Sequence, residues 1–213
     1  MAIISKETLL KINCVRAIAG AMCVHFCVGT FFLYGNINDY FAAHLEQTNP
    51  DITADDTLIV QPIWLLFQTM ITTIGVFLAD KFGFKTVTVF ALCGFTLVNL
   101  ATAYVNNYYL YILVYGVGSG CFLGLGYLLS LYIAWTYFPT KKSLITGLCL
   151  LATGMCPSIM APVTSAIANP DNIEDPTDPN YSKNVPLLFQ CLAGIFGVIT
   201  IIVFVVLPSP RLS

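Results

Sequence analysis

The chain has 213 residues, of which 57% are hydrophobic and 9% are charged, and its formal net charge is −2. A soluble domain carries about 25% charged residues, so this composition excludes an ordinary soluble globular protein. The few basic residues form no stripe and no arginine cluster, so nucleic acid is not an expected partner.

Six apolar segments are each long enough to cross a bilayer, which takes about 20 helical residues. In chain order they cover residues 15–34, 58–78, 86–105, 108–134, 143–167 and 186–207. The first is as long as a membrane span, so it is expected to stay in the protein rather than to be cleaved as a signal peptide. The pattern predicts an all-α, polytopic membrane protein with six transmembrane helices in one membrane domain, residues 1–213.

Two of the predicted connections, 41–57 and 168–185, are long and acidic, and the other three are a few residues each. If the N-terminus faces inside, eight of the nine basic residues fall on the inner side and Lys183 falls outside. The inner ones are Lys6, Lys11, Arg16, Lys81, Lys85, Lys141, Lys142 and Arg211. Because Lys and Arg concentrate on the inner side of membranes, both termini are predicted to face inside, which is the matrix if the membrane is mitochondrial.

The eight cysteines lie in or beside the apolar segments, and none forms a Cys-x-x-Cys pair. Cys23 and Cys27 share a helix face, but His25 between them points elsewhere, so we predict no metal site. His25 and His44 lie in different environments, and the sequence has no nucleophile elbow or phosphate-binding loop. We therefore expect no cofactor and no enzymatic activity.

The connection between the second and third segments contains Asp80, Lys81, Gly83 and Lys85. An aspartate at the end of a membrane helix is costly unless its carboxylate is paired or caps a helix, so a partner for Asp80 is expected. Gly83 permits a tight reversal of the chain, and the two lysines would anchor the turn at the inner surface. The alternative interpretation is an ordinary turn between two helices with positive-inside lysines.

The connection between the fourth and fifth segments begins at Trp135 and contains Pro139, Lys141 and Lys142. Pro139 would end the fourth helix, and the aromatic residues before it are typical of a membrane interface. A generic loop between two helices is again the alternative.

Together, these two motifs resemble the major facilitator superfamily of transporters. The first is similar to its signature loop between helices 2 and 3, and the second to its oxalate–formate and monocarboxylate branch. The Gly29-Thr30…Tyr34-Gly35 pattern and the glycine-rich stretch 115–127 resemble the same branch. The resemblance implies that this chain is the N-terminal six-helix half of a twelve-helix fold, with the substrate held between two halves that rock in alternating access.

Three departures from that family are visible in the sequence. Val76 stands where the signature usually begins with glycine, and Phe84 stands where a basic residue is common. The second half, which carries most of the anion-holding basic residues in the resembled transporters, has no counterpart in this chain. The resemblance therefore assigns no anion-binding cation here.

Four polar residues inside the predicted spans are candidates for substrate contact, namely His25, Gln68, Tyr115 and Tyr127. An ionisable group near the bilayer centre is a functional candidate, so His25 could carry a proton or touch a carboxylate. The alternative is a neutral histidine bonded to a neighbouring helix, and the other three could equally be packing residues. A row of glycines at 116, 120 and 124 fits either a sliding gate helix or close helix packing.

The residues support two functional hypotheses. The first is a transporter of small monocarboxylates or related organic anions, whose second half is another copy of the chain or a partner. The second is a non-transporting accessory subunit of a large membrane assembly such as a respiratory chain complex, with other membrane subunits against the face between the halves. The second hypothesis fits the mitochondrial inner membrane, whereas the first is also compatible with the plasma membrane or another organelle.

Overall fold

The computed structural model describes residues 6–210, with side chains from Glu7 onward, and this part of the chain forms helices and connections without a strand. Six of its helices are long and apolar enough to cross a membrane, which confirms the predicted all-α class and indicates an integral membrane protein. We call them spans 1 to 6, which are Glu7–Glu46, Ala54–Phe82, Phe84–Thr102, Tyr108–Tyr137, Lys142–Ala168 and Val185–Val206. Arg211, which we assigned to the inner side, lies outside the described residues.

Three of the spans are built from more than one helical piece, and spans 3, 5 and 6 are continuous. The pieces are Lys6–Val28 and Thr30–Glu46 in span 1, Ala54–Thr57 and Val60–Phe82 in span 2, and Tyr108–Tyr111, a π-helical segment Ile112–Val117, and Gly118–Tyr137 in span 4. The interruption in span 1 lies at Gly29. We name the end of the bundle near Arg16 and Asp80 the inner end and the opposite end the outer end, after the predicted orientation.

Span 1 is longer at both ends than the predicted segment 15–34, and most of the predicted loop 41–57 is helical. Its outer turns extend beyond the apolar run, where side-chain hydrogen bonds hold them. Asn38 donates from Nδ2 to the carbonyl oxygen of Ala54 at 3.3 Å. The hydroxyl of Tyr34 donates to the carbonyl oxygen of Thr57 at 2.7 Å. The connection between spans 1 and 2 is therefore short and fixed against span 1.

Span 4 lies at the centre of the bundle against spans 1, 2 and 3, and span 6 packs behind spans 1 and 3. Glycines bring the backbones of spans 2 and 4 close together. A Cβ atom on Gly120 would lie 2.5 Å from the carbonyl oxygen of Trp64, and one on Gly124 would lie 2.6 Å from that of Gln68. In this structure the row of glycines therefore permits close helix packing.

The largest fully buried side chains form an aromatic cluster in the outer part of the bundle. We define this outer aromatic cluster as Tyr34, Phe41, Trp64, Tyr111, Tyr115 and Phe189. Phe41 and Tyr111 stack with ring centroids 3.7 Å apart. Tyr115 packs edge-to-face against Trp64 at 5.4 Å and against Phe189 at 5.3 Å. The cluster thereby joins spans 1, 2, 4 and 6.

Arg16 joins the first and last spans at the inner end. Its Nε donates to the carbonyl oxygen of Val206 at 3.1 Å, and its Nη2 donates to that of Val205 at 2.7 Å. Nη1 donates to Oδ1 of Asn13 at 3.2 Å, which holds the guanidinium in place. Because the last carbonyls of a helix have no partner within it, Arg16 caps span 6 with a charge that suits the negative end of the helix dipole.

Replacing Arg16 with alanine is expected to lower the free energy of unfolding by about 1–3 kcal/mol, because two end carbonyls lose a charged donor. Arg16→Lys should recover only part of this loss, since an ammonium does not reproduce the two-pronged guanidinium geometry. The control is Lys11→Ala, because Lys11 forms an exposed ion pair with Glu7, and such pairs contribute little. Thermal unfolding of the purified chain in detergent measures all three variants, and equal losses for Arg16→Ala and Lys11→Ala would contradict the capping role.

Candidate functional site

A cavity of about 180 Å³ lies between spans 1, 2, 4 and 5. We call it the membrane pocket, and its lining residues are Val28, Phe31, Phe32, Leu65, Gln68, Tyr127, Leu150 and Thr153. The lining is apolar apart from Gln68, Tyr127 and Thr153, and none of these residues is charged. An apolar wall with a few polar groups is typical of a site for a small ligand.

His25 lies directly behind this pocket and is fully buried. Its Nδ1 is 3.3 Å from Oγ1 of Thr153, and its ring lies 5.1 Å from the ring of Tyr127 at an angle of 51°. Both of these neighbours line the pocket. The histidine therefore supports two pocket residues and does not itself line the cavity.

The hydrogen bonds of the Thr153 hydroxyl indicate which ring nitrogen of His25 carries a hydrogen. It donates towards the carbonyl oxygens of His25 at 3.1 Å and Cys149 at 3.2 Å. A threonine has one hydroxyl hydrogen, so its oxygen is left to accept a hydrogen bond from Nδ1. This arrangement favours the neutral tautomer of His25 with the hydrogen on Nδ1. The other ring nitrogen, Nε2, has no hydrogen-bonding partner among the described residues.

Two spans that touch each other each have a local break in regular helical hydrogen bonding beside the pocket. Span 1 is interrupted at Gly29, where a Cβ atom would collide with the carbonyl oxygen of Thr153 and lie 2.5 Å from Cβ of Cys156. Pro157, inside span 5, has no N–H to donate to that same carbonyl four residues earlier. Gly29 keeps helical dihedral angles, with φ −60° and ψ −15°, and span 5 continues through Pro157, so each span departs from regular hydrogen bonding beside the pocket without unwinding.

Gln68 reaches the pocket from the middle of span 2. Its Oε1 accepts a hydrogen bond from Nε1 of Trp64 at 3.1 Å, which fixes the carboxamide. Since the oxygen is engaged, the NH₂ group is what Gln68 offers a ligand. The side chain is half-buried, as expected for a group at the edge of a cavity.

Tyr115, the fourth predicted substrate residue, does not line the membrane pocket. It is fully buried in the outer aromatic cluster, where its ring stacks on Tyr111 at 5.5 Å and on Tyr34 at 6.1 Å. The structure thus brings Gln68 and Tyr127 into one cavity, places His25 behind it and assigns Tyr115 to the core. Thr153 lines the same cavity and was not singled out from the sequence.

At the inner end, Asp80 lines a cavity of about 450 Å³ together with Gly83 and Lys85. Its carboxylate is exposed and forms no hydrogen bond or ion pair with any residue between 6 and 210, so the expected partner is not observed. Gly83 has a φ of 90°, a conformation that disfavours a side chain. The two lysines instead approach aromatic rings. Nζ of Lys81 lies 5.3 Å from the ring centroid of Phe82, and Nζ of Lys85 lies 5.5 Å from the ring centroid of Phe204.

The second inner motif lies beside the first. Trp135 and Asp80 line a common cavity of about 250 Å³. The indole of Trp135 donates to Oγ1 of Thr146 at 3.2 Å, and Nζ of Lys142 lies 6.0 Å from its ring. Pro139 and Lys141 are exposed in the turn that follows span 4. The structure therefore brings Asp80 and Trp135 together and leaves the proline and lysines at the surface.

Replacing Asp80 with alanine is expected to change the free energy of unfolding by less than about 0.5 kcal/mol, because the carboxylate stabilises no described group. Gly83→Ala in the same turn is expected to cost about 1–2 kcal/mol, since alanine tolerates a positive φ poorly. Thermal unfolding in detergent compares the two. If Asp80→Ala unfolds as readily as Gly83→Ala, the carboxylate has a stabilising partner in the folded protein.

Comparison with known proteins gives one partial similarity. A segment of this chain is 29% identical over 93 residues to apicoplast pyruvate carrier 1 of Toxoplasma gondii. The match covers 44% of this chain and 17% of the carrier, so the chain spans less than a fifth of the length of that relative. No protein-family profile matches the chain.

Proposed function

We propose that this chain is one six-helix half of a membrane carrier for small monocarboxylates and that the membrane pocket is its part of the substrate site. The similarity to a pyruvate carrier supports the substrate class. The observation that carries the proposal is the pocket, whose wall includes the polar residues Gln68, Tyr127 and Thr153 within the spans. Polar groups at membrane depth are costly, so their convergence on a cavity favours a ligand.

The pocket is uncharged, and this determines what the rest of the carrier must supply. Moving a carboxylate out of water without a cation costs more free energy than hydrogen bonds from the neutral donors of the pocket can offset. The complete carrier therefore needs a second half with a positive charge, and we propose another copy of the chain or a partner protein for this role. We place the chain as the N-terminal half of a major facilitator fold, in which two such halves enclose the substrate.

The alternative is a non-transporting subunit of a membrane assembly such as a respiratory complex, located in the mitochondrial inner membrane. One observation favours it. Asp80, which lies in the segment that resembles the signature loop of the transporters, is exposed and has no partner among the described residues. A half-carrier that has lost transport but kept its helix bundle would show the same unpaired carboxylate.

Reconstitution at decreasing protein density distinguishes these functions. The purified chain is placed in liposomes from many copies down to one copy per vesicle, and uptake of radiolabelled pyruvate is followed. Because the pocket has walls from one half only, we expect uptake per chain to fall with dilution. Constant uptake down to one copy would show that a single chain transports. Absence of uptake at every density, with the chain shown to be folded, would support the accessory subunit.

Within the carrier, Tyr127→Phe is expected to reduce pyruvate uptake about 10- to 100-fold at low substrate concentration. A hydrogen bond to a charged group contributes about 1.5–3 kcal/mol, and phenylalanine removes the hydroxyl while keeping the ring beside His25. The control is Tyr109→Phe at the start of span 4, where the side chain is exposed and outside the pocket. Unchanged uptake by Tyr127→Phe would remove this residue from the substrate site.

A further inference from the structure

Two cations lie against the last turn of span 6 at the inner end of the bundle. Arg16 of span 1 donates to the carbonyl oxygens of Val205 and Val206. Lys85, the second residue of span 3, places its Nζ 5.5 Å from the ring centroid of Phe204. The charges of Arg16 and Lys85 are close enough to repel each other. Spans 1, 3 and 6 therefore meet at a positively charged surface, which we call the inner basic patch and define as Arg16 and Lys85.

The described part of the chain supplies this patch with no paired carboxylate. Glu7, the acidic residue near the start of span 1, is bound to Lys11 at 2.7 Å. Asp80 lines the same inner cavity as Lys85 but forms no ion pair with it. Because two neighbouring cations repel, an anion held between them would stabilise both.

The remaining donors of the patch suit a phosphate group. A guanidinium has five N–H hydrogens, and Arg16 directs three of them to Val205, Val206 and Asn13. Its other two hydrogens and the ammonium group of Lys85 are left to donate to an anion. A phosphate has several oxygens, so it can accept charge-assisted hydrogen bonds from both cations at once.

The position of the patch indicates that this phosphate belongs to a lipid. Lys85 begins span 3 and Arg16 contacts the end of span 6, so both cations lie at the depth of the lipid head groups. Beside them, Ile201, Phe204 and Val205 have exposed side chains on one face of span 6, which offers an apolar surface to acyl chains. Basic pockets between membrane helices bind anionic head groups. We propose that the inner basic patch binds the head group of an anionic phospholipid whose acyl chains lie along span 6.

Native mass spectrometry of the purified chain in a neutral detergent tests this proposal. Phosphatidylglycerol and phosphatidylcholine with the same acyl chains are added separately, and bound lipids are counted at each concentration. Because two basic residues hold the anionic head group, the first phosphatidylglycerol should bind about 10- to 30-fold more tightly than phosphatidylcholine. Equal affinity of the unaltered chain for the two lipids would overturn the proposal.

Lys85→Gln removes one of the two cations and is expected to raise the Kd for phosphatidylglycerol about 5-fold. The matched control is Lys81→Gln in the same turn, because Nζ of Lys81 approaches Phe82 and not the patch. This control should change the Kd less than about 2-fold, and melting temperatures in detergent verify that both variants are folded. Equal losses at the two positions would mean a diffuse attraction to the membrane surface, which contradicts a bound head group.

Inorganic phosphate and a second copy of the chain are the other sources of negative charge. If inorganic phosphate displaces phosphatidylglycerol at equal concentration, the patch selects phosphate and not a lipid. The same spectra count dimers of the chain. If Lys85→Gln changes the fraction of dimers and leaves lipid binding unaltered, the patch faces another copy. Either result would overturn the lipid site.

Discussion

Gly29→Ala is expected to destabilise the chain by about 3 kcal/mol, the largest effect of any single methyl group that we anticipate. The added Cβ atom would collide with the carbonyl oxygen of Thr153 and lie 2.5 Å from Cβ of Cys156. Neither obstacle is the free end of a flexible side chain, so spans 1 and 5 would have to move apart. Their separation would also break the contact between His25 and Thr153 behind the pocket.

The matched control is Gly35→Ala in the same span, where a Cβ atom would have no neighbour within 4 Å. Alanine is the better helix former by about 1 kcal/mol, so this variant should be as stable as the original chain or more so. Size-exclusion profiles and melting temperatures of both variants in detergent give the comparison. If both behave alike, spans 1 and 5 are not in close contact at Gly29.

Phe41→Ala is expected to cost about 3–5 kcal/mol, because it opens a cavity in the tightest part of the outer aromatic cluster. The ring is 1% exposed, stacks on Tyr111 at 3.7 Å and packs edge-to-face on Phe189 at 5.5 Å. The substitution should therefore weaken the packing between spans 1, 4 and 6. Unfolding of the variant in detergent should therefore begin at a temperature well below that of the unaltered chain.

Phe77→Ala separates this packing effect from the mere loss of an aromatic side chain. Phe77 lies in span 2 and is 69% exposed, so its ring has few protein neighbours to lose. We expect its removal to leave the melting temperature nearly unchanged. A loss at Phe77 as large as that at Phe41 would mean that the exposed face of span 2 is covered in the purified protein.

The number and class of the spans could be predicted because a bilayer demands about 20 apolar residues for each crossing. The outer end of span 1 could not be predicted, because the length that a bilayer requires does not limit a helix beyond the lipid. Residues 36–46 include polar side chains that a loop would also carry. Here Asn36 donates to Ser165 at 3.1 Å and accepts from Thr164 at 2.7 Å, so the polar residues bind span 5 and the helix continues.

The membrane pocket was only partly predictable, for a reason of helical geometry. Tyr115 and Tyr127 both looked like interior residues of span 4, but twelve positions correspond to about 120° around a regular helix, so the two side chains do not share a face. The π-helical segment shifts that relation further. Thr153 was missed because a threonine in a membrane helix is common. The available signal was Pro157 four residues later, which releases the carbonyl of Thr153.

The cap that Arg16 provides also has a consequence for the order of synthesis. Arg16 enters the membrane with the first span, but the carbonyls of Val205 and Val206 that it binds are made 189 and 190 residues later. Until then the guanidinium lacks these two acceptors. The contact between spans 1 and 6 at the inner end can therefore form only after span 6 has been made. A nascent chain arrested before Val205 should keep Arg16 open to labelling reagents, and chains that include span 6 should protect it.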